Sequence, residues 1–169
     1  MKNIFIWGFL LIVSPLALGK PQIDNEINDA VIAQILMTAN KVNIETAALA
    51  KKITSHTQVH SFAARMVKEH AEILKQEKDL IVKLTLIPQE NSISKELETY
   101  SVQNLNNLKY FSQNKFEKNY LETEIKLHQK LITIVDDKLI PNVKNEELKA
   151  MMINIRQVLV SHLEHAEKI

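Results

Sequence analysis

Four residues with metal-ligating side chains occupy positions that the apolar pattern assigns to the inner faces of helices. Glu45, His70, His128 and His162 each fall on a seam of apolar residues repeated about every 3.5 residues, one seam for each long helix. A polar side chain on such a face points into the core, where it needs a partner. Carboxylate and imidazole groups that converge from several helices are the usual way in which bundles build internal metal sites.

The side-chain chemistry favours zinc or a transition metal. Neutral imidazole is the commonest metal ligand, and a mixture of nitrogen and oxygen ligands suits Zn, Fe, Mn or Cu(II). The competing interpretation is that each histidine is a core residue with an ordinary hydrogen-bond partner. Thr38 and Glu77 also lie on the seams without an evident chemical role. The pattern therefore leaves both interpretations open.

The heights of these residues along their helices test whether they can meet. If the first turn is centred on His56, Glu45 lies about three helical turns before it and His70 lies about four turns after it. At the rise of an α-helix the difference in height is about 4.5 Å, which side chains can span. We therefore predict that Glu45 and His70 face each other across the first helical hairpin.

The second hairpin fits less well. If the last turn is centred near Asn142, His128 lies about four helical turns before it and His162 lies about five and a half turns after it. This difference corresponds to about 9 Å. Glu124 lies about five turns before Asn142, and it shares a helix face with His128 at the i,i+4 spacing. Glu124 is therefore an extra ligand or a substitute, and the candidate metal ligands are Glu45, His70, Glu124, His128 and His162.

A carboxylate-bridged di-iron centre is disfavoured. Such centres use a Glu three residues before a ligand histidine on two helices. Three residues before each seam histidine the chain instead carries an apolar residue: Val67, Ile125 and Leu159.

The elements that carry these residues are predicted to be helices. The chain has two Gly and four Pro, and so few backbone breakers favour long helices over a turn-rich β fold. Short turns between long helices make neighbours antiparallel. We predict an all-α, up-down antiparallel four-helix bundle, with an extra short helix before the third long one. The predicted helices cover residues 28–54, 58–84, 93–110, 115–139 and 145–169.

The first nineteen residues are typical of a secretory signal peptide. Lys2 supplies a positive charge, and residues 4–18 are almost entirely apolar. Ala17 and Gly19 are small residues at the third and first positions before a cleavage site that precedes Lys20. The apolar run is shorter than the roughly 20 residues of a spanning helix. We therefore predict a periplasmic or secreted protein that keeps no transmembrane segment after cleavage. Its predicted divisions are a signal peptide at 1–19, a linker at 20–27 and the helical domain at 28–169.

The charges and the absence of cysteine exclude other classes. The chain has 21 Lys and Arg against 20 Asp and Glu, and removal of Lys2 with the signal peptide leaves 20 against 20. Without a basic excess, nucleic acid is not an expected partner. Without cysteine the chain has neither disulfides nor a lipid-attachment site.

Three blocks of the sequence resemble a known family. Residues 62–70, residues 116–121 followed by His128, and residues 162–166 are similar to blocks of the bacterial domain-of-unknown-function 4142 family (DUF4142). The resemblance extends over about residues 28–168. Membership implies an exported, ferritin-like helical bundle, often labelled an outer-membrane protein, without an established activity.

The family pattern includes the histidines that the seams single out. They correspond to His70, His128 and His162, whereas Glu69 and Glu117 stand where the family more often has Asp. These differences keep the charge, and the resemblance therefore holds at both positions.

Two classes of function follow from these observations. The first is a periplasmic bundle that binds, handles or senses a divalent metal without catalysing a reaction. The second is a non-catalytic structural or interaction protein of the cell envelope, with an envelope protein as its partner and core histidines that pair only with carboxylates. A metal-dependent redox enzyme is a third interpretation, but the shortage of carboxylates on the seams counts against it.

Export predicts a processed N-terminus. Mass spectrometry of the protein from its own host should show a chain that begins at or near Lys20. Ala17→Arg should block cleavage, because the position three before the cut must be small. Intact Met1 in a cytoplasmic fraction of the unmodified protein would contradict the prediction.

Overall fold

Five α-helices make up the part of the protein that the structure describes. The structure, a computed structural model, describes residues 26–111 and 113–169, and these contain no strand. The elements are α1 Asp29–Ile53, α2 Thr57–Lys83, α3 Ser92–Tyr110, α4 Gln113–Ile134 and α5 Glu146–Ala166, and a π-helical turn, Val135–Leu139, continues α4.

The predicted helices are confirmed to within three residues at their ends. The helix predicted at 28–54 is observed at 29–53, and the short helix predicted at 93–110 is observed at 92–110. The predicted signal peptide at 1–19 and most of the linker at 20–27 lie outside the described residues. Across the described part of the chain, no helix combines the length and the apolarity that crossing a bilayer requires.

Polar caps fix where the helices begin. The Asn28 side chain accepts a hydrogen bond from the backbone N–H of Val31 and starts α1. Asn145 caps α5, as its sequence position predicts, by accepting from two backbone N–H groups of the first turn. Its own backbone N–H donates to Asp29 at 3.1 Å, which ties the start of α5 to the start of α1.

The hydrophobic core has two parts, with a polar layer between them. One cluster includes Val31–Val42 of α1, Leu127–Leu139 of α4 and its continuation, and Leu148–Leu159 of α5. The other cluster joins Ala47 and Ala50 of α1 to α2, α4 and the end of α5. On α1, α4 and α5, buried polar residues fall in the interval between the clusters. These are Asn43, Thr46, Glu124 and His162.

The helices pack in two groups around this core. Helix α1 packs along α2 and α3, and α4 packs along α5. Contacts of α5 with α2 and of α4 with α1 join the groups. Side chains from α2, α4 and α5 can therefore meet between the two apolar clusters.

The start of α3 provides a test of the local fold. Asn91 is 1% exposed; its side chain accepts from the N–H of Ser94, and its own N–H donates to the Ser94 hydroxyl. Asn91→Ala should lower the free energy of unfolding by about 1–2 kcal/mol in urea denaturation. Asn91→Asp keeps the acceptor and should lose less. Equal stability of the Ala variant and the unmodified protein would show that the cap is dispensable.

Candidate metal centre

Three histidines from three helices meet in the interior. His70 of α2, His128 of α4 and His162 of α5 are fully buried. Their ring centroids lie 5.0 Å apart for His70 and His162, 5.4 Å for His128 and His162, and 5.8 Å for His70 and His128. One nitrogen from each ring lies within 4.8 Å of the other two.

This spacing suits one shared ion after a small closure. At the upper limit of 4.8 Å between nitrogens, an ion at the centre would lie about 2.8 Å from each. Zn–N bonds are about 2.0–2.1 Å long. A movement of less than about 1 Å per ring would complete the bonds.

The hydrogen-bond partner of His70 fixes which of its nitrogens carries the proton. Asn40 donates through Nδ2 to the Leu36 carbonyl at 3.1 Å and to Glu77 Oε1 at 2.7 Å. Its Oδ1 therefore faces His70 Nδ1, 2.7 Å away, and can only accept. The proton of neutral His70 is on Nδ1, and Nε2 is left as a bare lone pair.

The other two histidines are held in the same way. His128 Nδ1 lies 2.8 Å from the backbone carbonyl of Glu124, which can only accept. His162 Nε2 lies 2.7 Å from Glu69 Oε2. Burial opposes ionisation of Glu69, but the hydrogen bonds from Arg65 and His162 outweigh it and hold the pKa of Glu69 below its usual value. Glu69 is therefore a carboxylate, and His162 donates to it.

All three rings consequently turn an unprotonated nitrogen toward the interior. His70 Nε2, His128 Nε2 and His162 Nδ1 have no hydrogen-bond partner among the described residues. Since each is an acceptor, they cannot satisfy one another. Metal-ligating histidines characteristically donate their outer N–H to a carboxylate or carbonyl, which fixes the tautomer and aims the other nitrogen at the ion.

Burial keeps these rings neutral. It lowers the pKa of His128 to about 4, against the opposing effect of the Glu124 carbonyl. Burial and the two neighbouring rings lower the pKa of His70 well below its usual value. Burial also lowers the pKa of His162, although the bond to Glu69 opposes it. At neutral pH all three lone pairs are available to an ion.

Glu124 lies beside this group but on the outer side of His128. Its carboxyl Oε2 is 3.7 Å from Nδ1 of His128, the nitrogen that carries the proton. Both carboxyl oxygens are buried without a partner among the described residues, and burial raises the pKa of Glu124 to about 8. Glu124 is therefore a neutral neighbour of the cluster at pH 7.

The predicted contact between Glu45 and His70 is wrong. The Glu45 side chain is exposed, and its carboxylate accepts from the Ser101 hydroxyl at 3.2 Å. The prediction assumed that buried positions on α1 repeat every 3.5 residues, but an α-helix has 3.6 residues per turn. Positions seven residues apart are therefore rotated by about 20° around the helix. Glu45 lies two heptads after Val31, and this rotation moves it off the buried face. The buried face of α1 instead continues through Asn43, Thr46, Ala47 and Ala50.

The predicted separation of His128 and His162 is also wrong, because the last turn is not symmetrical. His128 lies about three helical turns before Leu139, whereas His162 lies about four and a half turns after Glu146. The difference corresponds to about 7.5 Å of helix. Because the two ring centroids lie only 5.4 Å apart, the start of α5 and Leu139 are not level with each other, and residues 140–145 connect them.

Two of the residues that orient the rings, Asn40 and Glu69, were not assigned this role from the sequence. Asn40 and His70 are equally far from Ser55 along the chain, so a turn centred on Ser55 would have matched them. Glu69 is adjacent to His70 in sequence, yet it serves His162 on another helix. No periodicity within α2 points to that pairing.

The comparison with protein families identifies the chain. The family model described as Domain of unknown function (DUF4142) matches residues 15–169. The chain therefore belongs to this family. No curated protein and no solved structure matches it.

The buried Glu77 supplies a test of this hydrogen-bond chain. Burial raises the pKa of Glu77 to about 8, and the bond from Asn40 opposes this only in part. The unfolded state loses the proton near pH 4.5 while the folded state keeps it until about pH 8, so stability falls as the pH rises between these values. Glu77→Gln cannot ionise and should gain stability relative to the unmodified protein across this window, by a few kcal/mol at about 1.4 kcal/mol per pKa unit.

Urea denaturation at pH 5 and pH 8 in the presence of a chelator measures this difference. Glu72→Gln, an exposed position on the same helix, is the matched control and should change little. A Glu77→Gln effect of equal size at both pH values would show that Glu77 ionises normally in the folded protein.

Proposed function

We propose that this DUF4142 protein binds one divalent transition-metal ion through His70, His128 and His162. The observation that carries the proposal is a group of three buried histidines that can bring one nitrogen each within 4.8 Å of the others, each ring having one nitrogen without a partner among the described residues. A buried polar atom without a hydrogen bond costs about 1–3 kcal/mol. A cation accepts all three lone pairs at once and removes this cost.

The ligand set narrows the choice of ion. Three imidazoles without a carboxylate among them suit Zn, Cu or Fe(II) better than Mn, which prefers oxygen ligands. The adjacent Glu69 carboxylate, hydrogen-bonded to His162, offsets part of the ion's charge. Binding of the ion without catalysis is the role that this proposal assigns.

The proposal also covers how the helices are arranged and in which compartment the protein functions. We infer a ferritin-like up-down bundle of the four long helices with α3 laid against α1, supported by the way in which α1, α2, α4 and α5 surround the histidines. The signal-like N-terminus supports function in the periplasm or outside the cell. There the protein would buffer, deliver or sense metal.

An envelope interaction protein without metal is the alternative. It would need the core histidines to be satisfied by carboxylates alone. Glu69 does pair with His162, but it pairs with the outer nitrogen. The three inner nitrogens are not accounted for by such pairs, and this favours the metal-binding proposal.

Thermal melting with added metal tests the proposed function. An ion at about 100 times its dissociation constant stabilises the folded state by about 2.7 kcal/mol. For a chain of this size that is roughly 5–10 °C in the melting temperature. We expect Zn or Cu(II) to raise the melting temperature of chelator-treated protein by this amount. His70→Ala and His162→Ala should abolish the rise.

Two variants serve as matched controls. His60→Ala removes an exposed histidine from the same helix as His70, and Glu45→Ala removes the carboxylate that lies apart from the cluster. Both should respond to metal as the unmodified protein does. If no metal raises the melting temperature, or if the His70 and His162 variants still respond, the metal-binding proposal fails.

A further inference from the structure

One hydrogen-bond partner of the cluster histidines reaches the surface of the described part of the chain. The partners of two rings, Asn40 and the backbone carbonyl of Glu124, belong to residues that are at most 3% exposed. Glu69, the partner of His162, keeps 33% of its side chain exposed. All three rings are buried, so an ion among them would have no direct contact with solvent. Glu69 therefore links the buried cluster to the surface.

Glu69 lies in an open groove between α2 and α5. The volume of the groove is about 660 Å³, and its lining comes from residues 68–80 of α2 and residues 147–158 of α5. Glu69 and Val158 lie at the same end of these two antiparallel stretches. Since Val158 precedes His162 by one helical turn, this end of the groove adjoins the ring that Glu69 holds.

A second residue brings the same groove close to the cluster. Ile155 of α5 is 6% exposed and lines the groove. It also lines a small internal cavity of about 20 Å³, whose lining includes His70. The Ile155 side chain therefore lies between the groove and a space beside His70, and the ring of His162 lies between Glu69 and the cluster. Movement of either side chain would open the interior to the groove.

Two other surface grooves have no such connection. One lies between α1 and α3 and includes Glu45 and Ser101, and the other lies between α3 and α4 and includes Asn119. Neither includes a residue that bonds to a cluster histidine in the described part of the chain, and neither shares a residue with the cavity beside His70. The groove between α2 and α5 is therefore the best supported approach to the cluster.

Arg65 ties α2 to α5 just beyond this end of the groove. It precedes Glu69 by one helical turn and donates to the Glu69 carboxylate at 2.8 Å. It also donates to the Ser161 hydroxyl at 3.1 Å and to His165 Nδ1 at 3.2 Å. Ser161 and His165 lie on either side of His162 along α5, so Arg65 holds the segment that carries His162 against α2. Outward movement of that segment requires these bonds to break.

We propose that a metal ion enters and leaves the histidine cluster through the groove between α2 and α5, past Glu69 and His162, and that Arg65 limits how fast this passage opens. The inference rests on the proposed metal-binding function and adds the route of the ion. An obstacle on the route raises the barrier to uptake and to release alike, because it leaves the free and bound states unchanged. Both rate constants then change by the same factor, and their ratio, the Kd, stays constant.

Stopped-flow measurements of Co(II) exchange by the full-length mature protein test the route. The visible absorption of Co(II) follows uptake, and EDTA follows release at concentrations where the rate no longer depends on EDTA. Asn154 is exposed and lines the groove, so the indole of Asn154→Trp should obstruct it. We expect both rate constants to fall at least tenfold while the Kd changes less than twofold.

A matched variant controls for the added indole. Gln157→Trp places the same side chain at an exposed position of α5 that does not line the groove, and it should change neither rate constant. Ala150 is also exposed and lines the groove. Ala150→Trp is therefore the second obstructing variant if Asn154→Trp does not fold.

Arg65→Met tests the tie between the helices in the opposite direction. The unbranched apolar side chain keeps the packing of the arginine stem and loses the bonds to α5, so uptake and release should both accelerate at least threefold at constant Kd. Lys75 is the matched control, because it makes the same i,i+4 ion pair, with Asp79, but no bond to α5 among the described residues. Lys75→Met should change neither rate constant.

The outcomes separate this inference from the proposed function. If the unmodified protein takes up no Co(II), or if His162→Ala takes it up equally, the metal-binding proposal itself fails. If Co(II) binds through the histidines but the groove variant exchanges it at the unmodified rates, or if Gln157→Trp slows exchange equally, the groove is not the route and the metal site stands. A change in only one rate constant also overturns the route, because it shows an altered end state. Unchanged rates in Arg65→Met would disprove the role of Arg65.

Discussion

The outward hydrogen bond of each buried histidine is the interaction on which the interior of this protein depends. A neutral imidazole has one ring proton, and each of the three rings gives it to an oxygen on the far side of the cluster. That leaves three acceptors facing a common space. If each ring had instead turned its N–H inward, no acceptor would face that space. The orientation of the protons, more than the presence of histidines, distinguishes this core from one with ordinary buried polar residues.

The two apolar clusters determine where this layer can exist. Each cluster packs apolar side chains on one side of the histidines, and the resulting burial lowers the pKa of each ring and keeps it neutral. Helix α1 contributes no histidine, but Asn40 gives His70 its orientation, and Asn43 and His70 both line a small internal cavity. The most extensive helix contact in the described part of the chain, between α1 and α2, thus has a second role besides stability. It sets the tautomer of one ring and the polarity of the space next to it.

The helices and the three histidines could be predicted from the sequence, whereas their hydrogen-bond partners could not. Apolar periodicity and caps such as Asn145 are local signals, and they place helix ends to within a few residues. Two predictions about contacts between helices were wrong. They assumed that buried positions repeat every 3.5 residues and that the helices on either side of a turn start level with each other. The drift between 3.5 and 3.6 residues per turn removes Glu45 from the core, and the uneven connection at 140–145 brings His128 level with His162. The pairing of Glu69 with His162 crosses between helices, and no spacing within one helix encodes it.

Under the proposed function, the positions of the carboxyl groups determine which cations the cluster would bind. Glu69 binds the outer nitrogen of His162, Glu124 lies beside the outer nitrogen of His128, and Glu77 reaches His70 only through Asn40. No carboxylate oxygen belongs to the group of ligand atoms within 4.8 Å among the described residues. Calcium and magnesium need several oxygen ligands, and magnesium gives up its water reluctantly. In the proposed site, neutral nitrogens alone cannot replace that hydration, so calcium and magnesium would be rejected, while ions that prefer imidazole would be retained.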